Sequence, residues 1–395
     1  MKKPVAIGPW PLGIDNVSDP TSVRSDDKGR PIALVDALNV DIDRSGDAQR
    51  RRGLRLVVPL PGLHSVWTGL RGTFGVASSI LYRLTTVGAT ALGDLPSDEP
   101  CSFADLDDRT VGSQRLGVFE IVGDQVRPLA PPDGPFPDLT ANAIGGLVAG
   151  RYSMAVAYVR EGQEGALSAA RTLTLADGQG IALGLIEAIA DADTARVYRT
   201  EPNGAVLYHC ADVPLGMTTF LIGQGQLGRQ ATTQLLARLP GGSFITAWRG
   251  LLLVAKGRTL IMSQPMNPGL HSPRHGFVQF ANRITMVAAV EGGLYVGTRL
   301  GVQFLRGGRP GEWTLERKGA LPPATGGVAY IDGNQLPATY QQAGRRVAVW
   351  IAGNGFVLGC DDGSLIEPQG DRLSIEASGT ASICALSRRV TATLT

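Results

Sequence analysis

His271 and His275 stand four residues apart, the spacing that sets two imidazoles on one helix face for a zinc ion. Pro268, Gly269, Pro273 and Gly276 crowd that segment, so no helix is expected there, and no His-Glu-x-x-His run occurs. With His64 and His209, they read as surface or interface groups. The acidic candidates are the neighbouring pairs Asp26-Asp27, Asp107-Asp108 and Asp361-Asp362. Glycoside hydrolysis needs two carboxylates about 5–9 Å apart across a pocket. Spacing along the chain does not establish that convergence, and a hairpin turn accounts for Asp362-Gly363. Residues Asp41-x-Asp43-x-Ser45-Gly46-Asp47 place oxygen atoms at alternate positions with glycine sixth, as a calcium loop does. The twelfth position is Arg52, where that loop requires glutamate, so a polar turn is the expectation. Neither a Gly-x-Ser-x-Gly elbow nor a phosphate-binding Gly-Lys-Ser ending is present. The chain is read as non-enzymatic, with no catalytic residue, metal or cofactor.

Arg50, Arg51 and Arg52 form a short basic run. Arginines in a row suit phosphate contacts, and they suit a subunit interface equally because each guanidinium fork pairs with a carboxylate. No basic stripe or aromatic ladder accompanies them, which argues against sequence-specific DNA recognition. The formal charge of +2, from 37 Lys and Arg against 35 Asp and Glu, gives no bulk attraction to DNA or membranes. Trp248, Trp313 and Trp350 fall near strand ends, with Trp10 and Trp67 upstream; packing is the default for all five, while an exposed Trp10 or Phe277 would mark a contact surface.

Those groups need elements to hold them. In 395 residues, 43% are hydrophobic and 18% charged, which excludes disorder for the whole chain. The 52 glycines and 25 prolines follow no collagen period and imply many turns between short strands. Cys101, Cys210, Cys360 and Cys384 are far apart, unlike a disulfide scaffold or a cysteine-rich zinc module. The apolar run at the start breaks at Pro9, too early for a signal peptide, and no run reaches the ~18 apolar residues of a membrane-spanning helix. Folding in a cytoplasm is expected.

Hairpin signals recur along the chain. Residues 75–82, 117–126, 251–261, 293–305 and 355–366 each read as strand, tight turn, strand, with Gly257 and Gly363 as turn residues. Gly75 to Gly117 is 42 residues, and so is Leu251 to Gly293; Gly293 to Gly355 is 62, which allows an insertion. A multi-stranded unit of about 40 residues is the size of a propeller blade. The rhythm lapses between 117 and 251. A proline-rich segment at 131–137 reads as a linker. After it come alternating strands at 152–159 and 170–175, then a hairpin from Ala195–Thr200 through Pro202-Asn203-Gly204 to Ala205–His209. The predicted fold is all-β: a propeller (61–140 and 240–395) with an inserted immunoglobulin- or fibronectin-like β-sandwich (145–228) and an extended N-terminal arm (1–60). Separate β-sandwich domains are the alternative architecture.

Gly13-Ile14-Asp15-Asn16, Leu38-Asn39-Val40-Asp41-Ile42-Asp43, Ser45-Gly46 and Arg50-Arg51-Arg52-Gly53 together resemble the opening of a loosely defined family of structural proteins in tailed bacteriophages. Members often begin with a G-I-N-N segment and an N-V-D-I-D…G…R-R-G segment, followed by propeller-like repeats. The Arg196–Thr200 and Asn203-Gly204 hairpin is similar to that family's inserted sandwich. More distantly, the plan resembles the propeller-bearing tail accessory protein of short-tailed phages. The resemblance implies a virion structural protein of the phage tail, assembled in the host cytoplasm. It would form a homo-oligomeric ring (nozzle, hub or connector) around the channel for DNA ejection. Adjacent portal, adaptor or tail proteins would be its partners, passing DNA a non-specific contact, and no membrane segment is involved. Trp10, Ile14, Asn39, Arg50, Arg51 and Arg52 are the candidate assembly residues, and Gly204, Gly257 and Gly363 the structural turns. The alternatives are a phage-tail propeller that binds or hydrolyses host-surface glycan, and a sensor or scaffold propeller of cellular origin.

Overall fold

The computed structural model describes the chain except residues 1–7, 20–23, 28, 44, 52, 54, 308–311, 337–339, 341–344 and 387–388. It is all-β, and its sheets are antiparallel apart from one short parallel pairing. The chain divides into two compact units, one of Leu60–Leu84 and Ala89–Gln279, the other of Met1–Pro59, Thr85–Gly88 and Phe280–Thr395. No helix among the described residues is long and apolar enough to cross a membrane.

A small hairpin, β1 (Val40–Ile42) with β2 (Ala48–Arg50), opens the described structure. Two meanders of four strands follow. The first is β3 (His64–Gly69), β4 (Gly72–Ala77), β5 (Ile80–Thr85) and β6 (Gly88–Asp94). The second is β7 (Ser102–Leu106), β8 (Arg109–Gln114), β9 (Gly117–Val122) and β10 (Gln125–Pro128). Their turns are two residues long. Ser78 and Ser79 both have positive φ, 51° and 61°, the geometry whose twist matches that of paired strands. Strand alternation then divides the second meander between two cores. Phe103, Phe119 and Ile121 join Phe74, Val76 and Leu81 of the first meander. Ala104, Val111 and Val118 pack instead with Ile245, Leu252 and Val254. The second sheet therefore buries both faces, as its period-2 pattern allows.

The middle of the chain forms two sheets over one core. Strands β11 (Leu139–Asn142), β15 (Gly180–Gly184) and β18 (Thr219–Ile222) make the smaller. The larger centres on β12 (Gly150–Arg160), flanked by β13 (Gln163–Glu164), β14 (Arg171–Leu175), β16 (Thr194–Arg199) and β17 (Tyr208–Pro214). Tyr152, Met154, Val156 and Tyr158 of β12 meet Leu139, Ile181, Leu183 and Ile222 of the smaller sheet. The alternate residues Ala155 and Ala157 face a second core with Leu167, Tyr198, Leu207 and Ala231. The expected partner strand at 205–209 begins instead at Tyr208 and runs to Pro214. The turn explains the delay: Asn203, at φ 61°, accepts from the Arg151 N–H and donates its own N–H to the Arg151 carbonyl. That holds the reversal against β12, so the chain crosses residues 204–207 before it can pair. The left-handed position is Asn203; Gly204 closes the turn by donating to the Glu201 carbonyl. The proline-rich segment read as a linker is packed. Gly134 donates to the Ala166 carbonyl, and a Cβ there would lie 1.8 Å from the Val156 carbonyl oxygen.

A third meander contains β20 (Phe244–Trp248), β21 (Leu251–Lys256) and β22 (Thr259–Gln264), with β19 (Ala237–Arg238), β23 (Asn267–His271) and β24 (Phe277–Gln279) at its far edge. Gly257 supplies the positive φ of the β21–β22 turn. In the other unit, β25 (Ile284–Val290), β26 (Gly293–Thr298), β27 (Gly301–Arg306) and β28 (Thr314–Arg317) form a fourth meander. After β29 (Thr325–Gly326), strands β30 (Ala329–Asp332), β31 (Arg346–Ala352), β32 (Gly355–Gly359) and β33 (Leu365–Ile366) form a fifth. The last strands, β34 (Thr380–Leu386) and β35 (Arg389–Leu394), pair as a hairpin, and β29 lies parallel to β34. Meanders four and five share a core in which Tyr295, Phe304 and Trp350 are wholly buried. Tyr295 lies 4.7 Å from Phe304 and 5.3 Å from Trp350 between ring centres, and its hydroxyl contacts the Cys360 and Ser364 carbonyls at 2.6 and 2.8 Å. Gly363 makes this possible. It adopts φ 84°, and a Cβ there would meet the Phe304 ring at 2.7 Å.

Candidate assembly surface

The N-terminal segment is ordered by its backbone more than by its apolar content. Trp10 donates to the Gly46 carbonyl at 2.7 Å, and Gly46, at φ 86°, lies so close that a Cβ would be 2.5 Å from Trp10 backbone atoms. Ile14 forms a parallel bridge with Leu34, and the Asp15 N–H bonds the Leu34 carbonyl. Trp10 and Ile14 are half-buried. Asp15 is fully buried; its carboxylate accepts from the Ser18 N–H, the Ser18 hydroxyl and the Val17 N–H, and Arg24 lies 3.4 Å away. Those contacts, the Ser18 N–H first, hold its pKa below the ordinary carboxylate value.

One side of this segment is engaged by its own chain. Asn16 donates to the Ser374 carbonyl and accepts from the Ser374 N–H, while its N–H bonds the Arg372 carbonyl. Arg24 bridges Asp15 and Asp371. Asp41 faces Arg51 at 3.1 Å and Arg389 at 3.3 Å. Elsewhere along the segment, apolar side chains are bare. Leu38 is 88% exposed and Leu56 76%, and Val17 and Val57 are exposed too. Asn39, at φ 57°, reverses the chain beside Leu38 and accepts the Arg51 N–H. Arg50 is exposed and without an ion pair among the described residues, whereas Arg51 is committed to Asp41. Arg52 lies outside the described residues. Leu38 and Leu56 were not among the sequence candidates. The available signal was a bulky apolar residue in a stretch too poor in apolar neighbours to bury it.

The residues with chemical potential are dispersed and mostly occupied. Asp43 accepts the Ser45 and Asp47 N–H groups at 2.8 and 2.9 Å, so its carboxylate closes the turn that resembled a calcium loop. Asp361 takes the Gly292 N–H and faces Arg345, while Asp362 accepts both the N–H and the hydroxyl of Ser364. Asp107 and Asp108 belong to the other unit; Asp107 sits at φ 51° in the β7–β8 turn, and Asp108 lies 3.8 Å from Arg109. Asp26 binds the Arg30 backbone and guanidinium. His64 pairs with Asp98 and His209 with Asp212, while His271 bonds the Ala237 carbonyl from within β23. Burial, its largest influence, lowers the His271 pKa. His275 is exposed in the turn that follows. Among the described residues no three His, Cys, Asp or Glu side chains converge as a metal site.

No protein-family model matches the chain, and no curated protein does. Solved structures overlap it only shallowly. BBS1N, crystallised with ARL6DN, is 11% identical with a TM-score of 0.33, covering 85% of this chain and 89% of its own. The computationally designed Ika8 protein is 12% identical with a TM-score of 0.27, covering 85% of this chain and 95% of its own. PorZ, a bacterial surface component of the type-IX secretion system of Porphyromonas gingivalis, is 10% identical with a TM-score of 0.20, over 87% of this chain and 52% of its own. Likeness at this level carries no argument about function.

Proposed function

We propose that this chain is a non-enzymatic virion structural protein of a tailed phage, one subunit of a tail ring (nozzle, hub or connector) around the DNA channel. The phage-tail part of this reading rests on the resemblance of residues 13–53, and the observation that supports its propeller part is the run of similar antiparallel meanders. Their first strands begin 38 residues apart at 64 and 102, 40 apart at 244 and 284, and 45 apart at 284 and 329. That interval is blade-sized, and within each unit neighbouring meanders share apolar cores as stacked blades do. On this reading the meanders are blades of a β-propeller, and β11–β18 form an inserted immunoglobulin- or fibronectin-like sandwich. The N-terminal segment is an arm whose inner side holds residues 371–374 of its own chain. Its outer side (Leu38, Leu56 and Arg50) meets a neighbouring copy or the adjacent portal or adaptor ring. Repeated head-to-tail contacts between identical chains close a ring when the rotation closes.

The test is native mass spectrometry and electron microscopy of the full chain and of a form lacking residues 1–55. The expected result is a ring for the full chain and a folded, unassembled subunit for the deletion. An unchanged oligomer after deletion would defeat the role of the arm, and a monomer even with the portal-side partner would defeat the ring. Because the deletion also removes the Asn16 and Arg24 contacts, the double substitution Leu38→Asp with Leu56→Asp is the sharper variant. It leaves those contacts intact and should still abolish assembly.

A further inference from the structure

Arg199 ends β16 and is 5% exposed, yet no carboxylate among the described residues lies within 4 Å of it. Arg160, equally buried, is balanced by both Glu120 and Asp191, and the half-buried Arg196 of the same strand as Arg199 meets Glu164 and Asp212. The Arg199 guanidinium has instead two long bonds, 3.4 Å each, to the Thr200 and Gly225 carbonyls, and it lies over the Tyr152 ring. Its Nε is buried and has no hydrogen-bond partner among the described residues. A buried guanidinium stays charged, and a buried charge without a counter-charge is expensive.

The same side chain lines a cavity of about 170 Å³ between β17 and β18. Cys210, Ala211 and Phe220 form its apolar side, and the Gly223–Gln226 loop, with two glutamine amides, its polar side. No anion is supplied by the wall. Burial pushes the Cys210 thiol up to about 12, so it is neutral and donates to the Val197 carbonyl. Asp212, two residues along, is taken by Arg196 and His209.

We infer that this cavity binds a small organic carboxylate, held by the Arg199 guanidinium with its carbon chain against Cys210, Ala211 and Phe220. A planar carboxylate matches a guanidinium edge through two parallel hydrogen bonds. A cavity of ~150 Å³ accepts a benzene-sized molecule, so the occupant here has on the order of six to ten non-hydrogen atoms, such as a four- to six-carbon acid.

The site is tested on the full chain by NMR of the arginine Nε–H resonances, with calorimetry in parallel. Succinate, hexanoate, inorganic phosphate and chloride are the titrants. The expected result is a saturable shift of one Nε–H resonance by succinate or hexanoate at millimolar concentration or below. Arg199→Lys should remove that resonance and weaken binding at least tenfold. Phosphate and chloride should leave the resonance in place. If neither acid shifts it by about 10 mM, or if chloride shifts it as strongly, the inference fails. The wild-type titration decides the question even if the variant does not fold.

Discussion

At the scale of single residues, one buried carboxylate gathers three arginines. Glu120 sits in an ordinary strand sequence, Gly117-Val118-Phe119-Glu120-Ile121-Val122, and is wholly buried. Its carboxylate meets Arg109 at 3.1 Å, Arg127 at 2.8 Å and Arg160 at 3.3 Å. Arg160 comes from β12, so one carboxylate ties the second meander to the central sheet. Glu120→Gln leaves three guanidiniums sharing a neutral amide and should cost ~3–5 kcal/mol in urea unfolding. Glu161, exposed and paired with the same Arg127, should cost far less when changed to Gln, because solvent screens the pair. Equal losses would show that burial is not what gives Glu120 its weight. Glu316 provides the pH test. Hydrogen bonds from Arg306 and then Lys318 hold its carboxyl at about 2, below its ordinary 4.5. A folded pKa below the unfolded one stabilises above the unfolded value, and that contribution disappears as pH falls from 4.5 through 2. The stability gap between wild type and Glu316→Gln should therefore shrink over that window. A gap unchanged between pH 5 and pH 2 would contradict the assignment. None of these partnerships has a fixed sequence spacing, which is why composition and motif reading could not find them.

At the scale of elements, local chemistry was far more legible. All five hairpins read from alternating apolar residues and turn signals are present as paired strands. Turn residues and period-2 patterning act over a few positions, so a single sequence carries them. Where tertiary contacts decide, the reading drifted. Residues 205–207 are apolar enough for a strand, but the Asn203–Arg151 contact delays pairing until Tyr208. The prolines at 131–137 signalled a linker, yet the close approach of Gly134 to β12 makes that segment part of the packing. Glycine has the same role inside the fifth meander. Gly359 of β32 lies against the Trp350 and Tyr295 rings, and a Cβ there would be 2.6 Å from both. Gly359→Ala should overpack this core and destabilise by ~1–3 kcal/mol. The check is the denaturation midpoint, with the Trp350 fluorescence maximum reporting whether the ring has moved. An unaltered midpoint would mean the rings can yield, and that the core is looser than its geometry implies.

At the scale of the whole molecule, charge constrains the proposed conduit. A formal +2 over 395 residues is too little for strong counterion release on a duplex. Most arginines described above are already matched by carboxylates, and in the N-terminal segment Arg51 is held by Asp41 while Arg50 has no ion pair among the described residues. A wall that gripped phosphates would retard the DNA passing along it, whereas a nearly neutral one lets it slide. The assembled protein should therefore bind a 30-base-pair duplex more weakly than about 10⁻⁴ M at physiological salt, at the weak limit of non-specific binding. The salt dependence should be shallow, because each phosphate contact adds about 0.9 to the slope of log K against log salt. Arg50→Ala should lower the assembly yield if Arg50 lies in the subunit contact, and leave the residual DNA affinity unchanged. Fluorescence anisotropy across a salt series measures both slope and affinity. Micromolar binding with a steep slope, lost in Arg50→Ala, would instead make the N-terminal segment a nucleic-acid contact and displace the passive-channel reading.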